Sequence, residues 1–458
     1  MLTAAETTAA CLADHASRGP RYTSYPPATQ FGPITADRVR GELTRIGAIS
    51  QPVSLYVHVP FCRSLCSYCG CNVIPTRDES RGERYVDQLA TELALLAGSL
   101  LTAPLAEIAL GGGSPNFLPP RTLRILIGAI QRYFAIAPDA RRSIELDPRS
   151  TSVSQLETLS DLDFRSLSLG VQDFSVPVQD AIRRHQSVAQ TRWLVERARA
   201  FGFDDINIDM VYGLPHQTET TFASTLQSTI ELAPDRIALF GYAHLPSKLP
   251  HQRLVEKAGR VLDGYERATL LLLGIEKLTA AGYLHLGLDH FALPGSRLAK
   301  AAAEGRMERS FQGYVEHRAH SVIGVGTSAI SSTSRMHWQN YAGLKPWEDA
   351  IVARRLPVER GFVLDHDDRA RRRLIGKLMC DGRVDLAQLG REHGIDAPAY
   401  FAHELASLAN VPELAAYHAG GQQITTTVIG RLLVRNVCML FDRYYQGDAD
   451  VPRFSPTI

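Results

Sequence analysis

Between residues 53 and 240 the chain repeats one pattern six times: a short apolar or β-branched run, then a helix-length amphipathic stretch. The candidate strands are Val53–Val59, Glu107–Leu110, Ser143–Asp147, Ser166–Val171, Asp205–Val211 and Arg236–Phe240. Helical patterns lie between them, for example Tyr85–Leu100, Arg121–Phe134, Ala189–Ala200 and Thr220–Leu232. Strands separated by helix-length connections imply βαβ units and a parallel sheet. Right-handed crossovers put the helices on the outside of a curved sheet. The expected fold is therefore α/β, a partial (three-quarter) parallel β/α barrel of about six repeats.

What flanks this core is less regular. Residues 1–50 form an N-terminal extension, a polar lead-in with turn chemistry at Arg21-Tyr22-Thr23-Ser24-Tyr25-Pro26-Pro27. The barrel domain and its irregular following segment span 51–345, and residues 346–458 form a mostly helical C-terminal domain. That last part shows one short strand candidate, Ile424–Thr427, and the combination resembles a winged helix. The balance of 49 lysines and arginines against 48 aspartates and glutamates leaves a charge of +1. No bulk field draws nucleic acid, so a small domain packed against the barrel mouth is the favoured reading. Glu92 and Glu107 interrupt the most apolar stretch, which excludes membrane insertion. The segment Met1–Arg21 lacks the basic start and apolar run of a signal peptide, so a cytoplasmic location is expected. The chain is separately expected to be a monomer.

Four of the seven cysteines, Cys62, Cys66, Cys69 and Cys71, fall within ten positions. Crowding of this kind in a reducing compartment points to metal or redox chemistry rather than a disulfide framework. Cys62, Cys66 and Cys69 follow the first strand as CxxxCxxC. Three thiolates on one loop suit three corners of a [4Fe–4S] cluster, leaving one iron open to a small molecule. The competing reading is a zinc site on Cys62, Cys66, Cys69 and Cys71, although zinc ligands usually come as separated pairs. His58 points from the strand end toward this loop, as a site residue or as packing. Gly111-Gly112-Gly113-Ser114-Pro115 follows the second strand, where free N–H groups suit the charged ends of an amino acid. Glu145 on the third strand needs a hydroxyl or cationic partner if it faces inward. Arg184 beside Arg183 reads, by itself, as an exposed helix arginine.

The cysteine loop with an aromatic before its last cysteine resembles the radical S-adenosylmethionine enzymes. More specifically, an ordered set of motifs resembles the oxygen-independent coproporphyrinogen III oxidase (coproporphyrinogen dehydrogenase) family. The set includes Arg21–Pro26, Tyr68-Cys69-Gly70-Cys71-Asn72, Gly170-Val171-Gln172-Asp173-Phe174 and Tyr212-Gly213-Leu214-Pro215. It continues through Tyr242-Ala243-His244-Leu245-Pro246, Asp289-His290-Phe291-Ala292, Phe311-Gln312-Gly313-Tyr314 and Gly430–Asn436. The resemblance implies a [4Fe–4S] cluster on Cys62, Cys66 and Cys69, with His58 among the catalytic residues. It implies two S-adenosylmethionine molecules. Tyr56, Gly112, Gly113, Glu145 and Ile330 would contact the first, and Tyr68, Gly113, Ser114, Gln172, Arg184, Asp209 and Ala243 the second.

The implied activity is oxidative decarboxylation of two propionates of coproporphyrinogen III to vinyl groups, giving protoporphyrinogen IX in porphyrin and haem biosynthesis. A 5′-deoxyadenosyl radical would initiate it. The partners are then the tetrapyrrole, with Arg21 and its neighbours as candidate carboxylate anchors, and an unidentified electron donor and acceptor. Three positions depart from the family pattern: Val73 replaces a lysine, Pro294-Gly295-Ser296-Arg297 replaces an acidic segment, and Glu308-Arg309-Ser310 replaces His-Arg-Asn. They leave open an alternative, a paralogous radical S-adenosylmethionine protein with a haem-trafficking or methyltransferase role.

Overall fold

The computed structural model describes residues 4–100, 102–316, 319, 321–447 and 454–458. Its first strand, β1 (Val53–Val59), is buried at every position. That matches its unbroken apolar character and requires cover on both faces, the usual situation in a parallel sheet. The next five strands are β2 (Leu105–Gly112), β3 (Ile136–Leu146), β4 (Ser166–Gln172), β5 (Asp205–Tyr212) and β6 (Arg236–Gly241). All neighbours from β1 to β6 pair in parallel, in sequence order. The connecting helices include α3 (Ser80–Leu100), α4 (Pro120–Tyr133), α5 (Val153–Asp161), α6 (Val176–Ile182), α7 (Val188–Ala200) and α8 (Glu219–Glu231). Ser152 begins α5 with a reciprocal Ser152–Gln155 capping box, which satisfies free N–H groups at the helix start.

The sheet extends well beyond six strands. β7 (Leu284–Gly287) and β8 (His290–Ala292) add antiparallel beside β6. On the other side, β9 (Ser321–Val325) pairs in parallel with β1, followed by antiparallel β10 (Ile330–Ser332), β11 (Met336–Asn340) and β12 (Val358–Val363). The order is β12-β11-β10-β9-β1-β2-β3-β4-β5-β6-β8-β7. Its two ends do not pair, so the barrel is partial.

Four sequence expectations change here. The irregular segment that follows the barrel repeats, up to residue 345, supplies strands of the main sheet. The sheet also continues past residue 345 into β12, across the boundary placed there. The N-terminal extension is not only turns: α1 (Ala4–Asp14) packs on the helix Gly264–Ala280, and α2 (Ala36–Ala48) packs on α3. Gly32 and Gly361 exchange backbone hydrogen bonds at 2.9 and 2.8 Å, which covers the β12 edge. The C-terminal part carries a three-stranded antiparallel sheet, β13 (Arg383–Asp385), β14 (Ala415–His418) and β15 (Gln423–Thr426), rather than one strand. These strands are short and weakly apolar, so periodicity alone does not mark them. Among the described residues no helix is long and apolar enough to cross a membrane.

Candidate active site

Parallel strands bring their C-terminal ends to one edge of the sheet, where crevices open for ligands. Here that edge holds a cavity lined by Cys62, Cys66, Tyr68, Cys69 and Cys71 from the loop after β1. Gly112, Gly113 and Ser114 line it from the end of β2, and Glu145, Asp147 and Arg149 from β3 and the turn beyond. Ser168, Gly170 and Gln172 of β4, Asp209 of β5 and Arg184 complete the wall. Most residues singled out from the sequence therefore meet in one place.

The loop is fixed from several sides. Backbone N–H groups of Gly113 and Ser114 donate to the Val59 and Phe61 carbonyls at 2.8 and 2.9 Å, docking the glycine run against it. A Cβ on Gly113 would lie 2.7 Å from the Phe61 carbonyl oxygen, so only glycine permits this approach. His251 Nε2 lies 2.7 Å from the Cys69 carbonyl oxygen. The Gln252 amide donates to the carbonyls of Tyr68 and Ala243 at 2.9 and 3.0 Å. Ala243 thus meets the loop through Gln252 rather than lining the cavity.

His58 faces the other side of the loop. Its Nε2 is 3.1 Å from the Asn72 carbonyl and its Nδ1 is 3.3 Å from the Tyr56 hydroxyl. Burial pushes its pKa down to about 4, so the ring is neutral near pH 7. A carbonyl only accepts, so Nε2 carries the proton and Nδ1 accepts from Tyr56. This geometry braces the loop and leaves no ring nitrogen free toward the cavity. Tyr56 packs edge-on against Phe311 at 4.7 Å between ring centroids. It stands opposite Gly324 in the β1–β9 register, and the Ile330 carbonyl crowds the Cβ space of Gly324. Tyr56 and Ile330 thus share the flank next to the cavity.

Two half-buried carboxylates, Glu145 and Asp209, face the cavity. Glu145 Oε2 accepts from the Gly112 N–H at 3.1 Å. Burial, then the nearby Asp209, pushes its pKa up to about 7. Asp209 accepts from Ser168 Oγ at 3.0 Å and Asn207 Nδ2 at 2.7 Å. Burial raises its pKa too, against those two donors. Paired acids with open acceptor sites suit ribose hydroxyls or an ammonium group. Gln172 adds a polar side chain from a left-handed backbone position, φ 73°, at the end of β4.

Arg184 overturns its sequence reading as an exposed helix arginine: its side chain is 8% exposed. α6 ends at Ile182 and Arg183 takes a left-handed conformation. That turn sends Arg184 inward, where Nη2 meets Asp147 Oδ1 at 3.2 Å and Nη1 approaches Cys66 Sγ at 3.5 Å. The sequence reading passed over Asp147, Arg149, Ser168, His251 and Gln252. For Asp147 and Arg149 the available clue was their place directly after a parallel strand. Arg21, a candidate carboxylate anchor, does not line the cavity: its guanidinium donates to the Gly241 carbonyl, at the end of β6, at 3.1 Å.

Among the described residues no three His, Cys, Asp or Glu side chains converge as a single-ion site does. Cys62, Cys66 and Cys69 instead share the wall of a cavity, with room for a larger group between them. Hydrogen bonding from Cys71 brings the Cys69 thiol down to about 6 despite burial, with help from His251 and Arg184. Soft sulfurs beside cationic groups fit an iron–sulfur cluster.

The model of the Radical SAM superfamily matches residues 56–229. Oxygen-independent coproporphyrinogen III oxidase of Pseudomonas aeruginosa is 38% identical over 438 residues, 93% of each chain. The Escherichia coli K12 enzyme of the same name is 37% identical over 96% of each chain. The chain belongs to the oxygen-independent coproporphyrinogen III oxidase family. The solved coproporphyrinogen III oxidase (HemN) from Escherichia coli, a radical SAM enzyme, superposes with a TM-score of 0.88 at 36% identity. That match covers 93% of this chain and 98% of the other. Membership in the coproporphyrinogen III oxidase family extends over the N-terminal extension and the C-terminal domain as well as the barrel. It leaves the alternative of a trafficking or methyltransferase paralogue without a supporting observation.

Proposed function

We propose that this chain carries out the oxygen-independent oxidation of coproporphyrinogen III, as a radical S-adenosylmethionine oxidoreductase of porphyrin and haem biosynthesis. Each of two propionates would lose carbon dioxide, one hydrogen atom and one electron to become a vinyl group, giving protoporphyrinogen IX. The observation that carries this reading is the wall of Cys62, Cys66 and Cys69 facing Glu145, Gln172, Asp209 and Arg184, in a chain resembling these oxidases along its length.

Cys62, Cys66 and Cys69 would hold the [4Fe–4S] cluster, and Gly112, Gly113, Glu145, Tyr56 and Ile330 the first S-adenosylmethionine. Tyr68, Ser114, Gln172, Arg184, Asp209 and Ala243, again with Gly113, would hold a second. When bound, the cluster and S-adenosylmethionine supply one-electron, hydrogen-abstracting chemistry. The chain itself supplies position. The glycine run offers close backbone approach, the two carboxylates orient hydroxyl or ammonium groups, and Arg184 offers a charge to a carboxylate. Tyr56 and Phe311 provide an apolar flank that excludes water from one side. His58 acts here by bracing the loop. The free cysteines suit a reducing compartment, which we take to be the cytoplasm.

The test is anaerobic reconstitution with iron and sulfide, then assay with S-adenosylmethionine, a reductant and coproporphyrinogen III. Protoporphyrinogen IX with carbon dioxide release is expected. Cleavage of S-adenosylmethionine without vinyl product would reject the substrate. A methylated product would favour a methyltransferase, and tight haem binding without turnover a trafficking protein.

A further inference from the structure

Just beyond β3, one carboxylate is shared by two guanidinium groups. Arg149 donates to Asp147 through Nη2 at 2.6 Å and through Nε at 2.9 Å. Arg184 meets the same carboxylate at 3.2 Å. The three side chains are 19%, 11% and 8% exposed for Arg149, Asp147 and Arg184, so water does little to screen them. Each arginine then turns a remaining N–H toward one atom, the Sγ of Cys66, at 3.5 Å from Arg184 Nη1 and 3.7 Å from Arg149 Nη2. Cys66 is itself buried, at 7% exposure.

The arrangement has a definite sign. Two cations and one anion leave a net +1 packed against a single sulfur. Asp147 also offsets the mutual repulsion of the guanidiniums and orients both planar forks. A brace for the turn alone would need one arginine, and neither would have to point at a thiol.

We propose that Arg149 and Arg184, held by Asp147, set the reduction potential of the iron–sulfur group bound through Cys66. This rests on the reading that Cys62, Cys66 and Cys69 hold a [4Fe–4S] cluster. Reduction adds one negative charge to the cluster, and hydrogen bonds and positive charge at a ligand sulfur stabilise that charge. Arg184 also faces the proposed S-adenosylmethionine, so Arg149 is the residue that isolates the effect. It is a positioning residue that acts through Cys66.

The experiment is a redox titration of the reconstituted full-length protein without S-adenosylmethionine, followed by electron paramagnetic resonance of the reduced cluster. Iron content is measured alongside. Arg149→Gln is expected to make one-electron reduction about tenfold less favourable, a midpoint about 59 mV lower. Asp147→Asn removes the negative charge and is expected to shift the midpoint the opposite way. An unchanged midpoint in Arg149→Gln at full iron content overturns the proposal. Where that variant does not retain iron, Asp147→Asn decides, and a midpoint at or below wild type overturns it. Wild-type protein that assembles no cluster would instead defeat the reading of the site itself.

Discussion

The ring of His58 fills the space that a side chain on Gly112 would need. A Cβ built there would lie 2.5 Å from His58 Cε1, and Gly112 has φ +112°, a conformation that other residues rarely adopt. Strand end, histidine brace and glycine run are thus one packed unit. Gly112→Ala is expected to lower stability by about 1–3 kcal/mol. It should also displace His58 from the Asn72 carbonyl. Denaturant unfolding tests the first effect and iron content after reconstitution the second; wild-type values for both would refute the packing argument.

Glu145 predicts a pH effect of definite sign. Its folded-state pKa, about 7, lies above the ordinary 4.5. The native state therefore holds a proton that the unfolded chain has already released between those values. This contribution to stability is fully present below pH 4.5 and is lost as pH rises through about 7. Glu145→Gln removes it. The stability difference between variant and wild type should change across pH 5 to 8 by about 1 to 3 kcal/mol. Urea unfolding at four pH values measures it, and parallel curves would contradict the assignment.

Gln252 is fully buried, and its amide satisfies two carbonyls, that of Tyr68 in the cysteine loop and that of Ala243. Gln252→Ala strands both acceptors, at about 1–3 kcal/mol each. Faster loss of iron to a chelator is expected from the reconstituted protein. Wild-type release kinetics would show that the loop holds itself.

Glu92 ties α3 to the other flank of the sheet. Its oxygens accept from the Gly326 N–H at 2.9 Å, Trp347 Nε1 at 3.0 Å and Asn340 Nδ2 at 2.6 Å. All three partners donate, so the amide of Glu92→Gln would turn an N–H toward a donor. A loss of about 1–3 kcal/mol is expected by denaturant unfolding, with coproporphyrinogen turnover at low temperature retained. An unchanged unfolding midpoint would mean that water replaces the missing acceptor.

The cysteine spacing and the β–α alternation were legible because both are local. CxxxCxxC puts three sulfurs on one loop whatever surrounds it, and alternating periods mark strands and helices within about ten residues. The extra strands were not legible. β9 to β12 are three to six residues long and become strands only because β1 offers an unpaired edge. The same holds for Arg184, whose burial depends on a left-handed turn at Arg183 and on a carboxylate 37 residues earlier. Glu92, which in the sequence only interrupts an apolar stretch, is an interior anchor because three distant donors close around it.

By itself, then, the order of amino acids determined the parallel αβ core, the sulfur loop and the family motifs, each written in residues close together in the chain. Tertiary structure alone decided which polar groups face one another: Asp147 with its two arginines, Glu145 near Asp209, His58 against Asn72. Their energies depend on burial and on distances of a few ångströms between segments far apart in sequence, and only the folded chain sets those quantities.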